Sequence, residues 1–123
     1  MDQNYVGWAS YLAPVISADG QTGPVAAELS DSFCSTDPTA AKVFAHTTFF
    51  ADNRADLPKV SRPCLILQHR IDALAPLVVG EYMHTHLPDS TLRVLDIAGH
   101  CGHMSHPALV IAAIRDFLSP GRA

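Results

Sequence analysis

Asp72 and His100 are the residues whose types and places along the chain can do chemistry. Each follows an apolar run. Cys64-Leu65-Ile66-Leu67-Gln68 precedes Asp72, and Val94-Leu95-Asp96-Ile97-Ala98-Gly99 precedes His100. An acid bonded to a histidine sets the imidazole's tautomer and orientation and stabilises the imidazolium once the ring has taken a proton. If the two runs are parallel neighbouring strands, both residues leave the sheet at one edge. Open α/β sheets place their sites at that edge, outside the carboxyl ends of the strands.

The order, acid before histidine, is that of the last two members of a Ser, Asp/Glu, His triad on an α/β sheet. The Gly99-His100 step lets the backbone turn and present the ring. A plainer account has Asp72 only opening a turn before Pro76, with His100 a polar loop residue. Two such residues after consecutive strands favour the triad account. The nucleophile is missing. The sequence contains no Gly-x-Ser-x-Gly and no serine on a strand-to-helix elbow. Ser105 reads as a cap for the last helix, and Cys101, though next to His100, is not aimed at the ring by adjacency alone. The chain by itself is therefore not expected to perform nucleophilic acyl transfer.

A metal account rests on His100, His103 and His106. Gly99, Gly102 and Pro107 make that segment read mostly as loop, and no acidic or Cys cluster completes a zinc set, so no metal is expected. His84 and His86, two apart near a helix end, read as solvated residues that suit the helix dipole there. His46 reads as an ordinary helix residue. His69 ends a strand near Asp72 without an evident role. Tyr5, Trp8, Phe49 and Phe50 could line an apolar pocket, although core packing explains any one of them.

The elements that must position Asp72 and His100 follow from periodicity and punctuation. Tyr5, Trp8, Ala9 and Leu12 share one helical face within residues 4–18, with Pro14 expected to end or kink that helix. Asp19-Gly20-Gln21-Thr22-Gly23 is turn-rich. Pro24 suits a first helical position, ahead of Val25, Leu29 and Phe33 on one face. Asp37-Pro38 reads as an N-cap and first position for a helix from about Thr39 to Phe50. Residues 51–60 are polar and read as a connector. Beyond them strands and helices alternate: strand 63–68, helix 75–86, strand 91–97 and helix 107–118. That spacing implies a right-handed crossover and parallel strands. The last helix carries Val110, Ile111, Ile114, Phe117 and Leu118 on a broad apolar face. Two parallel strands, apolar nearly throughout, resemble the middle of a larger sheet.

Bulk properties narrow the classes. The 123 residues are one domain at most, 48% apolar and 16% charged, with a net charge of -4. No Lys/Arg run exists, so nucleic acid is not an expected partner. No apolar run reaches membrane-spanning length, and Met1-Asp2-Gln3-Asn4 lacks the pattern of a signal peptide. Cys34, Cys64 and Cys101 show no framework spacing, which suggests reduced thiols and a cytoplasmic setting. There is no cofactor-binding motif, and triad chemistry requires no cofactor.

The chain resembles the carboxy-terminal part of an α/β-hydrolase of the RsbQ-like group, which includes a bacterial stress regulator and the plant strigolactone and karrikin receptors. The residues carrying the resemblance are Asn4-Tyr5-x-x-Trp8, Ala13-Pro14 and Thr48-Phe49-Phe50-x-Asp52-x-Arg54 in the first half. In the second half they are Val60-x-x-Pro63-Cys64, Asp72-x-x-x-Pro76 and Gly99-His100-x-x-His103-x-Ser105-x-Pro107. The resemblance implies a partial α/β-hydrolase fold. Residues 1–57 would be a helical lid, followed over residues 58–123 by a β-α-β-α part of the core with two parallel strands. It makes Asp72 the triad acid, His100 the base, His103 a motif histidine that is not the base, and Phe49 a pocket-lining residue. The early strands, oxyanion-hole loop and nucleophile serine of such proteins have no counterpart in these residues. The sequence is accordingly expected to be a truncated product, to have a mis-set start, or to need an amino-terminal half from another chain.

Three functions follow as expectations. The first is a serine-hydrolase fragment, acting on small apolar esters or lactones when complete and inactive alone. The second is a ligand-sensing module of the RsbQ type that hands a signal to a regulatory protein partner. The third is an inactive fragment that self-associates through exposed apolar surface.

Overall fold

The computed structural model of the chain describes residues 4–20 and 23–119. The chain divides into two compact units, Met1–Asn53 and Arg54–Ala123.

The first unit is helical. Helix α1 spans Tyr5–Ser17, α2 Pro24–Ser35 and α3 Pro38–Phe50. The Asn4 side chain accepts from the Gly7 N–H at 2.8 Å and starts α1. Pro14 does not end the helix as expected. Three more residues follow it, and the Ala18 N–H closes the helix on the Pro14 carbonyl at 3.0 Å, with Ala18 in the left-handed region. Proline removes only its own donor, and its carbonyl remains free to accept. Ala9 and Ala13 are fully buried. Their small side chains line the face on which α1 packs against α2. Gly23 has no side chain with which to cap α2; Asp19 caps it from a distance, accepting from the Val25 N–H at 2.9 Å. Asp37 accepts from the Ala40 N–H at 2.9 Å, with Pro38 in the first turn, as the Asp-Pro pair predicts. No residue of α3 is buried.

The second unit opens with a 3-10 turn, Arg54–Lys59. Strand β1 spans Cys64–Ile71, α4 Leu77–His86, β2 Ser90–Ala98, α5 Gly102–Ser105 and α6 Pro107–Leu118. The strands pair in parallel from Cys64 opposite Ser90 to His69 opposite Leu95, with an irregularity before Ile71 meets Ala98. Helix α4 makes the crossover that parallel pairing requires. Ile66 of β1, Ile97 of β2, Leu87 after α4 and Val110 of α6 form the buried centre of this unit. Ile111, Ile114 and Leu118 of α6 and Val78 and Val79 of α4 stay exposed. Apolar faces left open beside a two-stranded parallel sheet are what part of a larger α/β layer presents.

The segment after His100 differs from the expected loop. Gly102–Ser105 forms one turn of helix, and Ser105 does not cap α6. Its hydroxyl donates to the Cys101 carbonyl at 3.3 Å, and α6 begins at Pro107 without a side-chain cap. The carbonyl is one turn back from Ser105, the usual partner for a serine within a helical turn.

Candidate active site

Asp72 follows β1 directly, and His100 stands two residues beyond the end of β2. The register that pairs Ile71 with Ala98 brings both to the same end of the sheet. The ladder extends one bond further, as the Gly99 N–H donates to the Ile71 carbonyl at 2.8 Å. His100 Nδ1 lies 2.7 Å from Asp72 Oδ2.

The other oxygen, Asp72 Oδ1, accepts from the backbone N–H groups of Leu74 at 2.8 Å and Ala75 at 3.0 Å. Both carboxylate oxygens are therefore engaged, and the side chain is only 4% exposed. Burial pushes the Asp72 carboxyl upward, but bonds from the Ala75 N–H, the His100 ring and the Leu74 N–H outweigh it. The net result is a carboxyl held below its ordinary value, hence an ionised acid. His100 is 43% exposed at its side chain. With Nδ1–H donated to a carboxylate, the neutral ring carries its lone pair on Nε2. The arrangement is an acid-oriented base.

Gln68 and His69, the last polar pair of β1 before its irregular end, are buried at 5% and 8% exposure. Consecutive strand residues point to opposite faces. Gln68 Nε2 donates to the Ala75 carbonyl at 2.8 Å, tying down the loop that carries Asp72. Gly80 of α4 packs against the same side chain, and a Cβ there would lie 2.7 Å from Gln68 Oε1. His69 Nδ1 lies 2.7 Å from the Gly99 carbonyl oxygen, at the root of the loop that carries His100. Sequence reasoning assigned neither residue a part. The available signal is two polar side chains directly after the apolar run Leu65-Ile66-Leu67.

Cys101 is half-buried, and burial followed by the Asp72 charge pushes its thiol pKa up. Burial and the Asp72 charge thus favour the protonated thiol, the less nucleophilic form. His103 is exposed on α5, and His106 Nδ1 meets the Ser105 hydroxyl at 2.9 Å. Among the described residues no group of three His, Cys, Asp or Glu side chains is placed to hold a metal ion. Asp72, His69 and His100 border a cavity of about 510 Å³ with Leu65, Leu67 and Val79. Phe49 belongs to the first unit, at the end of α3 and 61% exposed. There it borders an apolar groove of about 590 Å³ with Trp8, Phe33 and Phe44. No helix among the described residues is long and apolar enough to cross a membrane.

Comparison with known proteins places the chain among relatives. Residues 21–123 match the family model described as TAP-like protein. A protein of Oryza sativa subsp. japonica named as a probable esterase is 36% identical over 115 residues, 93% of this chain and 42% of that protein. A karrikin insensitive 2 receptor of Petunia hybrida is 33% identical over 115 residues, 93% of this chain and 43% of that protein. The solved structure of a hydrolase from Oleispira antarctica superposes with a TM-score of 0.92 at 42% identity, covering 98% of this chain and 44% of that one. The chain thus spans less than half the length of these relatives and matches their carboxy-terminal part.

Proposed function

The chain belongs to the α/β-hydrolase family, matching its TAP-like protein model, and from that premise we propose that it is the acid–base half of a serine hydrolase for small apolar esters or lactones. The observation that carries this reading is the 2.7 Å contact between His100 Nδ1 and Asp72 Oδ2 at the carboxyl ends of adjacent parallel strands. His100 Nε2 takes the proton of a serine hydroxyl as the oxygen attacks the ester carbonyl. Asp72 stabilises the imidazolium that results. The same proton then passes to the departing alkoxide, and a water deprotonated by His100 releases the acid and frees the serine. The serine and the oxyanion donors come from residues outside these 123. Residues 1–57 act as the lid, with Phe49 contributing to its apolar substrate surface.

A chimera tests this. The carboxy-terminal 44% of the Oleispira antarctica hydrolase, the part this chain superposes on, is replaced by this chain, and turnover of a p-nitrophenyl ester is measured. Turnover should appear, and His100→Ala should lower kcat by about a thousandfold or more. A folded chimera whose rate is indifferent to His100→Ala would end the proposal.

A second reading is supported by the receptor among the relatives. In it the completed pocket senses an apolar ligand, and the lid surface contacts a regulatory protein. It expects Trp8→Ala to weaken partner binding more than ester turnover; equal loss of both argues against it.

A further inference from the structure

The hydrogen-bonding between Asp72 and His100 needs the His100 loop held in place, and the backbone alone holds it at few points. Gly99 has a φ of 92°, a conformation that side-chain-bearing residues rarely adopt. The loop then runs through His100 and Cys101 into the one-turn helix that starts at Gly102. His69 touches this short step at both ends. Its Nδ1 meets the Gly99 carbonyl oxygen at 2.7 Å. Its ring packs so closely on Gly102 that a Cβ there would lie 2.5 Å from both Cε1 and Nε2. Only two residues, His100 and Cys101, separate the two contacts.

We propose that His69 is a positioning residue for His100. It donates Nδ1–H to the Gly99 carbonyl and seats its ring against Gly102, which sets the direction in which the His100 ring leaves the sheet. Its strand neighbour Gln68 does the equivalent for Asp72 through the Ala75 carbonyl. Two adjacent residues of β1, on opposite faces, thereby tether the two loops whose side chains must meet. The inference rests on the reading of His100 as the base, since a base misplaced by about 1 Å can lose a hundredfold in rate.

The test is nitrogen-15 and proton NMR of the 123-residue chain. The proposal requires neutral His69 to carry its proton on Nδ1, and an unprotonated Nδ1 in the wild type overturns it. The second readout is the His100 Nδ1 proton, expected downfield and slow to exchange. His69→Phe keeps the ring and removes the donor. Its His100 proton should exchange about tenfold faster or vanish, as the loss of one buried hydrogen bond predicts. His69→Asn restores a donor and should recover the signal. A folded His69→Phe with the wild-type exchange rate overturns the proposal. If that variant does not fold, His69→Asn decides: a wild-type His100 signal supports the tether, and a folded variant without it overturns the tether. In the chimera, His69→Phe should lower kcat with KM little changed, and His69→Asn should recover it. An inactive chimera with an intact His69 tether and His100 signal fails the hydrolase reading alone.

Discussion

Asp72 and His100 stand 28 residues apart in sequence and 2.7 Å apart in space, with the acid buried and the base reaching outward. The asymmetry has a chemical consequence. Two backbone N–H groups bind the carboxylate oxygen that the imidazole does not. The ionised carboxyl thus faces the ring from a buried position, while the His100 side chain is 43% exposed.

Removing that charge should separate orientation from packing. In Asp72→Asn the amide can still accept from the Leu74 and Ala75 N–H groups with its oxygen. Its NH2 group then faces His100 Nδ1 and favours the tautomer with the proton on Nε2. Ester turnover by the chimera should fall by about 10⁴-fold. Circular dichroism should show the helices retained.

Acid should destabilise the second unit through the same carboxyl. The folded-state pKa of Asp72 is lowered from 3.8. The folded form therefore binds its proton less readily than the unfolded form. The stabilisation is fully present above about pH 3.8, the unfolded value, and is lost as pH falls through the lower folded value. Urea midpoints measured from pH 6 down to pH 2.5 should drop in that acid window. Asp72→Asn should lessen the drop, and an identical drop in the variant would assign it to other carboxylates.

Close packing at Gly102 should make the smallest substitution costly. A methyl at this buried position meets the His69 ring at 2.5 Å, and β1 holds that ring in place. Gly102→Ala should lose about 1–3 kcal/mol in urea unfolding. It should also disturb the His100 Nδ1 proton signal.

Cys34 and Cys101 should react in an order set by exposure and charge. Cys34 is exposed, whereas Cys101 is half-buried with a raised pKa beside Asp72. Peptide mapping after brief iodoacetamide treatment at neutral pH should find Cys34 labelled well before Cys101. Asp72→Asn should speed labelling at Cys101, because one of the two causes of its raised pKa is then gone.

Much of this protein is written in local signals. The Asp37-Pro38 cap, Pro24 opening its helix, the apolar strands and the Gly99 turn depend on residues a few positions apart, so the order and type of the longer helices and both strands were legible in sequence, while the short turns at Arg54–Lys59 and Gly102–Ser105 were not. So was the pairing of an acid and a histidine after successive strands, because their place at strand ends is itself local. Other features depend on long-range register. Which polar side chain serves which loop is settled when Gln68 turns toward α4 and His69 toward Gly102 on opposite faces of β1. His69 bonds a carbonyl 30 residues away, a contact that no periodicity announces. Ser105 reads as a cap, yet its hydroxyl goes back to the Cys101 carbonyl, because the segment after His100 closes into a helical turn of its own. Residue types and spacing determined the candidate acid and base; only the tertiary structure decided how they meet and what holds them. The reason is that a hydrogen bond needs an ångström-scale position, and parallel strand register, which depends on the whole packed layer, sets it.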